Sequence, residues 1–169
     1  MPNYCENQLH IECNDEQWEN IKKHMLSGKD CYGEEKEITF NVIIPMPDNI
    51  YRGDVGQEER AKYGKDNWYD WCRERWGTKW DAFDTRVERE CIQFTTAWCP
   101  PEPWYRELAR RLQAFGVTAH ADYYVEGGFP GSLGGYDLID GELIETEADP
   151  EFAKIYTEMY DDDEEEEEE

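Results

Sequence analysis

Three histidines, six cysteines and 41 carboxylates are the side chains of this 169-residue chain that could do chemistry, and their spacing sorts them. His120 and Asp122 stand two apart, so in a strand they share a face. No nucleophile-elbow or cysteine-protease context surrounds any cysteine, so His120 is read as an exposed or sheet-packed residue and not as a base. A zinc ion needs ligand pairs spaced by two to four residues, and Cys5, Cys13, Cys31, Cys72, Cys91 and Cys99 supply none. Cys5 and Cys13, like Cys91 and Cys99, would share a strand face, but at about 3.3 Å per residue their thiols lie too far apart to hold one ion. The glycines at 127, 128, 131, 134 and 135 lack the Lys-Ser/Thr of a phosphate loop and are flanked by Glu126 and Asp137, the wrong sign for an anion. No loop shows the alternating Asp/Asn pattern of a calcium site. A metal-dependent hydrolase using Asp70, Asp81 and Asp84 lacks identifiable further ligands. The expectation is therefore no catalytic residue, no metal, no cofactor and no enzyme activity.

Charge is the stronger signal. The formal net charge is −24, and residues 116–169 hold 19 acids against the single Lys154. Nine of those acids form the run Asp161 to Glu169. Such a surface repels nucleic acid and anionic membrane and attracts basic proteins through a field that weakens as salt rises. The start, Met1-Pro2-Asn3-Tyr4-Cys5-Glu6, lacks the features of a secretory signal, and no stretch of eighteen apolar residues exists. The chain is accordingly read as a soluble cytoplasmic protein with reduced thiols.

Four of the seven tryptophans, Trp68, Trp71, Trp76 and Trp80, fall between Asn67 and Asp81. Asn67 can cap a helix running to Trp76 and ended by Gly77, which brings Trp68, Trp71 and Trp76 near one face. These four, with Trp98, are read as scaffold aromatics.

The elements that would position these residues follow from periodicity. Leu9 and Ile11 alternate with polar neighbours as in a strand, and Asn14 with Gln17 makes a capping box for a helix carrying Trp18, Ile21, Met25 and Leu26. Ile38 to Ile44, rich in β-branched residues and stopped by Pro45, reads as a second, more buried strand. Asp84 to Glu90 and Cys91 to Trp98 are extended; Trp104 to Phe115 is a helix ended by Gly116; Val117 to Val125 is a strand. Tyr136 to Ile139 and Leu143 to Thr146 form a hairpin across Asp140-Gly141, and Asp149-Pro150 starts a last helix. The fold class is α+β: an antiparallel sheet with helices on one face, ferredoxin-like, with a C-terminal hairpin, helix and disordered acidic tail. Residues 1–160 make one domain, with 45–82 a tryptophan-rich insertion and 161–169 the tail.

The start Met1 to Asn7, the segment Trp68-Tyr69-Asp70-Trp71-Cys72 with Trp76-Gly77-Thr78-Lys79-Trp80-Asp81, Ala97-Trp98-Cys99-Pro100-Pro101, and Tyr124-Val125-Glu126-Gly127-Gly128-Phe129 resemble, in order and spacing, the YubB-type ferredoxin-like family of plasmids, phages and genomic islands. The resemblance covers roughly residues 1–135. It implies a mobile-element setting and a ferredoxin-like domain, and it carries over no catalytic residue. The acidic hairpin, helix and tail lie outside these motifs and are read as a specialisation of this chain.

The expected function is that of an acidic nucleic-acid mimic, which occupies the basic channel of a host defence effector of the CRISPR or restriction type. Asp137, Asp140, Glu142, Glu145, Glu147, Asp149, Glu151, Asp161, Asp162 and Asp163 would supply the charge. In a strand, Glu145, Glu147 and Asp149 would share a face at steps of about 6.6 Å, roughly two axial phosphate steps. Alternating acids on an edge strand also prevent aggregation without any partner. The alternative is an adaptor binding through exposed aromatics between Trp76 and Phe83, with charge serving solubility only. Neither reading involves direct contact with nucleic acid or membrane.

Overall fold

The computed structural model describes residues 2–89 and 91–166, with side chains as far as Glu158. In chain order, β1 (Tyr4–Glu12) leads through α1 (Asp15–Ile21) and a π-helical turn (Lys22–Leu26) to a small hairpin, β2 (Gly28–Lys29) and β3 (Glu35–Lys36). Next come α2 (Gln57–Tyr63), α3 (Trp68–Arg75), β4 (Phe83–Val87), β5 (Ile92–Ala97) and α4 (Glu102–Gln113). The chain continues with β6 (Thr118–Val125), β7 (Leu133–Ile139), β8 (Glu142–Thr146) and α5 (Pro150–Glu166). The main sheet has six strands in the order β4-β5-β1-β6-β7-β8, each antiparallel to its neighbours. β4, β5, β1 and β6 form a ferredoxin-like unit, in which α1 and α4 each cross over one intervening strand. β7 and β8 widen the sheet on the β6 side.

Period-two alternation decides which residues enter the core. Cys5, Asn7, Leu9 and Ile11 of β1 are buried, and they pair across with Val125, Tyr123, Ala121 and Ala119 of β6 on the same face. α1 covers that face with Trp18 and Ile21, and α4 with Trp104, Tyr105, Leu108 and Leu112, a stripe at helical spacing. The capping box expected at Asn14 is formed, with the Gln17 N–H donating to Asn14 Oδ1 at 2.9 Å and the Asn14 N–H donating to Gln17 Oε1 at 2.9 Å.

Ile38 to Ile44 is not a strand. Thr39 N–H donates to the Leu26 carbonyl, Phe40 N–H donates to Asp81 Oδ1, and the Asn41 side chain accepts from Met46 N–H. These partners take the backbone groups a ladder would need and leave a 3-10 turn at Phe40–Val42. The β-branched composition reflects burial: Ile38, Phe40 and Ile43 belong to the core, with the Phe40 ring 4.8 Å from that of Trp104. The strand completing the first half of the unit is β4, so the inserted segment starts at Ser27, ahead of the predicted 45–82.

The last helix lies on the opposite side of the sheet. Tyr156 stacks on Tyr124 with centroids 4.5 Å apart, and Tyr124 pairs with Glu6, whose side chain points away from the α1 and α4 face. Phe152 is buried beside it. The backbone of residues 161–166 continues α5; the rest of the expected disordered tail lies outside the described residues.

Candidate functional site

The acidic C-terminal unit is built on the hairpin β7–β8. Asp140 and Gly141 take φ of 53° and 78°, a two-residue turn of the primed kind that matches strand twist. It sets Leu138 opposite Leu143 and Ile139 opposite Glu142. Asp140, Glu142, Glu145, Glu147, Asp149 and Glu151 are exposed. Among the described residues from 116 onward, the ion pairs are those of His120 with Asp122 and Asp137 and of Lys154 with Glu158. The six exposed acids therefore keep their charge unopposed.

The expected single row does not form. β8 ends at Thr146, so Glu147 and Asp149 leave the strand. Glu145 pairs with inward-facing Tyr136 and Glu142 with Ile139, which places these two carboxylates on opposite faces of the edge strand. Asp149 instead caps α5, accepting from Glu151 N–H at 2.9 Å. Asp137 is held by His120 at 2.7 Å. The side chains of Asp161, Asp162 and Asp163 lie outside those described. The acids thus line an edge and a strand-to-helix junction.

His120 anchors that junction. Its Nε2 lies 2.8 Å from Asp122 Oδ1, and the same oxygen accepts the Asp149 N–H at 2.7 Å. Asp122 is fully buried. Burial alone would lower the His120 pKa, but hydrogen bonds and charge from Asp137 and Asp122 outweigh it and raise the pKa. The residue read from the sequence as exposed or sheet-packed is thus a hydrogen-bonded staple between β6, β7 and the start of α5.

The tryptophan segment divides into core and surface. Asn67 caps α3 by accepting from Asp70 N–H at 3.0 Å. Trp76 is 1% exposed and its indole N–H donates to the Ile44 carbonyl at 2.9 Å. Trp68 and Trp71 pack partly buried against the core. Trp80 is half-buried. Trp98 departs from the scaffold role assigned to it: it is 37% exposed and stands at φ 72°, a conformation a bulky side chain rarely adopts.

Two cations and their ring partners gather around Trp98. The Arg73 guanidinium lies 5.3 Å from the Tyr69 ring and 5.8 Å from the Trp98 ring. The Lys79 ammonium lies 4.6 Å from the Trp80 ring, 5.4 Å from Trp98 and 5.9 Å from Tyr69. The spacing of Tyr69 and Arg73, four apart on a helix, signals one of these contacts; the arrival of Trp98 from the end of β5 has no local signal.

A cavity of about 440 Å³ opens beside this group, walled by Tyr4, Trp68, Trp76, Trp80 and Phe83, with Asp81 within it. Burial pushes the Asp81 carboxyl above its ordinary range, although Phe40 N–H, the Thr39 hydroxyl and Ala82 N–H all donate to it. Burial likewise pushes the Cys31 thiol up to about 11, so it is held as the weakly nucleophilic thiol at neutral pH. Asp70 pairs with Arg60 and Asp81 is tied to the inserted segment. Among the described residues no three His, Cys, Asp or Glu side chains converge to hold a metal ion, and no helix is long and apolar enough to cross a membrane.

A family model described as a ferredoxin-like domain in Api92-like protein matches residues 75–169. The match takes in β4 through α5, so the acidic hairpin and last helix, expected to be a specialisation of this chain, fall within the family's domain. No curated protein and no solved structure matches the chain.

Proposed function

We propose a function from the premise that the chain belongs to the family of ferredoxin-like domains in Api92-like proteins: it is a non-catalytic binder whose acidic edge captures the basic, nucleic-acid-binding surface of another protein. The observation that carries this reading is the set of exposed acids on β8 and at the start of α5 without Lys or Arg partners among the described residues. An unopposed negative edge on a rigid sheet attracts a cationic groove at long range and excludes nucleic acid from it once docked. In the mobile-element setting implied by the motif resemblance, the partner is a host defence effector of the CRISPR or restriction type. The acids present charge on both sides of an edge, so a groove that wraps the edge fits better than a flat surface reading one row.

The test is competition. Basic effectors are titrated with the protein in the presence of labelled DNA or RNA, at low and at high salt. The chain is expected to displace the nucleic acid at low salt, and the joint substitution Glu142→Gln, Glu145→Gln and Glu147→Gln is expected to slow association and flatten the salt dependence. Unchanged displacement by that variant would sink the reading.

A second reading, an adaptor that docks through exposed aromatics, is favoured by the exposure of Trp98 and Phe129, 37% and 47%. Trp76 is core and drops out of it. Truncation after Tyr160 separates the two, since an adaptor keeps its partner and a charge-driven binder loses affinity.

A further inference from the structure

The corner between β5 and α4 presents features that neither the fold nor the acidic edge requires. Trp98 is held in its unfavourable conformation by several bonds: its own N–H donates to the Asn3 carbonyl at 2.8 Å, the Thr96 hydroxyl donates to the Cys99 carbonyl at 2.7 Å, and the Cys99 thiol donates to the Gly77 carbonyl at 3.0 Å. A left-handed conformation at a bulky residue is unfavourable and persists only where the surroundings impose it. Here they impose it to set an indole at the surface. Arg73 and Lys79 lie 5.8 and 5.4 Å from that indole ring, neither with a carboxylate within ion-pair distance among the described residues.

Trp98 also lines a groove of about 370 Å³, with Phe129, Tyr123, Pro100 and Glu102 among its walls. Glu102 is held by Arg106 at 2.7 Å. A flat apolar slot next to two free cations suits a ligand with a planar aromatic part and an adjoining anion. The Glu102 carboxylate adds an acceptor for an exocyclic amine. The two cations match one phosphate group, and the overall field opposes a long polyanion.

We propose that this corner binds a nucleoside monophosphate, with the base stacked in the groove between Trp98 and Phe129 and the phosphate held between the Arg73 guanidinium and the Lys79 ammonium. The site shares no residue with the acidic edge.

Calorimetric titration of the full chain with adenosine monophosphate, adenosine, inorganic phosphate and a short single-stranded oligonucleotide tests it. The expected result is a single site for the monophosphate. Adenosine and phosphate should each bind at least about tenfold more weakly, and Arg73→Gln or Lys79→Gln should each weaken the monophosphate by about tenfold, as loss of a charge-assisted contact does. Trp98→Gly should abolish stacking while relieving the backbone. If that variant fails to fold, as circular dichroism would show, Lys79→Gln still decides, because Lys79 is not one of the buried residues of the core. Glu142→Gln, on the opposite face of β8 from Glu145, should bind the nucleotide unchanged. No heat at millimolar monophosphate, equal binding by wild type and Lys79→Gln, or binding of the oligonucleotide alone would overturn the proposal.

Discussion

Tyr156 of α5 lies on Tyr124 of β6 with ring planes 17° apart and centroids separated by 4.5 Å. This stack, with the buried ring of Phe152 one turn earlier, fixes the acid-bearing helix on the face of the sheet that α1 and α4 leave uncovered. The position of the acidic junction therefore rests on two aromatic side chains together with the His120–Asp122–Asp149 contacts at the start of the helix.

Phe152→Ala is expected to destabilise the docked helix by about 3 kcal/mol through lost burial and the cavity left behind. Amide hydrogen exchange within α5 should accelerate, with β1 and β5 protection largely retained. Uniform loss of protection would place α5 in the global folding unit instead.

The His120 staple gives a pH dependence with a defined sign. Its pKa is raised in the folded state, so its contribution is fully present below the unfolded value, about 6.5, and is lost as pH rises through the folded value. Asp122, Asp137 and, across on β1, His10 are the titratable groups around it. Urea midpoints should fall from about pH 6 toward alkaline pH in wild type, and His120→Gln should be less stable at pH 6 and show a flatter profile. A parallel decline in both proteins would remove His120 as its cause.

Two tryptophans of the motif segments should respond oppositely. Trp76→Ala removes a buried indole and is expected to cost about 3–5 kcal/mol. Trp98→Gly gives up cation–π contacts worth about 0.5–1 kcal/mol each but relieves a left-handed backbone, so its net change should stay within about 1 kcal/mol of zero. Thermal melts of the two variants make the comparison.

Gly77, the predicted helix stop, has a second reason to be glycine. It stands at φ 84°, and a Cβ there would sit 2.4 Å from Pro103 Cδ, in the first turn of α4. Gly77→Ala is expected to destabilise by about 2–4 kcal/mol, combining overpacking with backbone strain, and to lower the denaturation midpoint accordingly. A near-neutral result would mean that α3 and α4 can part without penalty.

Much of this architecture was legible from local pattern. β1, α1, α3, α4, β6 and the β7–β8 hairpin follow from periodicity, caps and the Asp140-Gly141 turn, because those signals act within a few residues. Ile38 to Ile44 misled because β-branched composition reports burial as readily as pairing; Asp81 and Leu26, distant in sequence, claim its backbone. Glu145, Glu147 and Asp149 misled in the same way: alternation predicts a shared face only while the strand lasts, and Asp149 is drawn off to cap α5 and bond to Asp122.

The sequence alone determined that the last third is overwhelmingly anionic, that the chain has the makings of a ferredoxin-like sheet, and that Trp76 belongs with a helix ended by Gly77. Charge, periodicity and capping are properties of neighbouring residues, so they can be read along the chain. Only the tertiary structure decided that α5 crosses to the far face, that His120 joins Asp122 to Asp137, and that Trp98 turns outward to meet Arg73 and Lys79. Those relations join residues far apart in sequence, and they are set by which packing of the same elements buries the aromatic rings and satisfies the buried polar groups together.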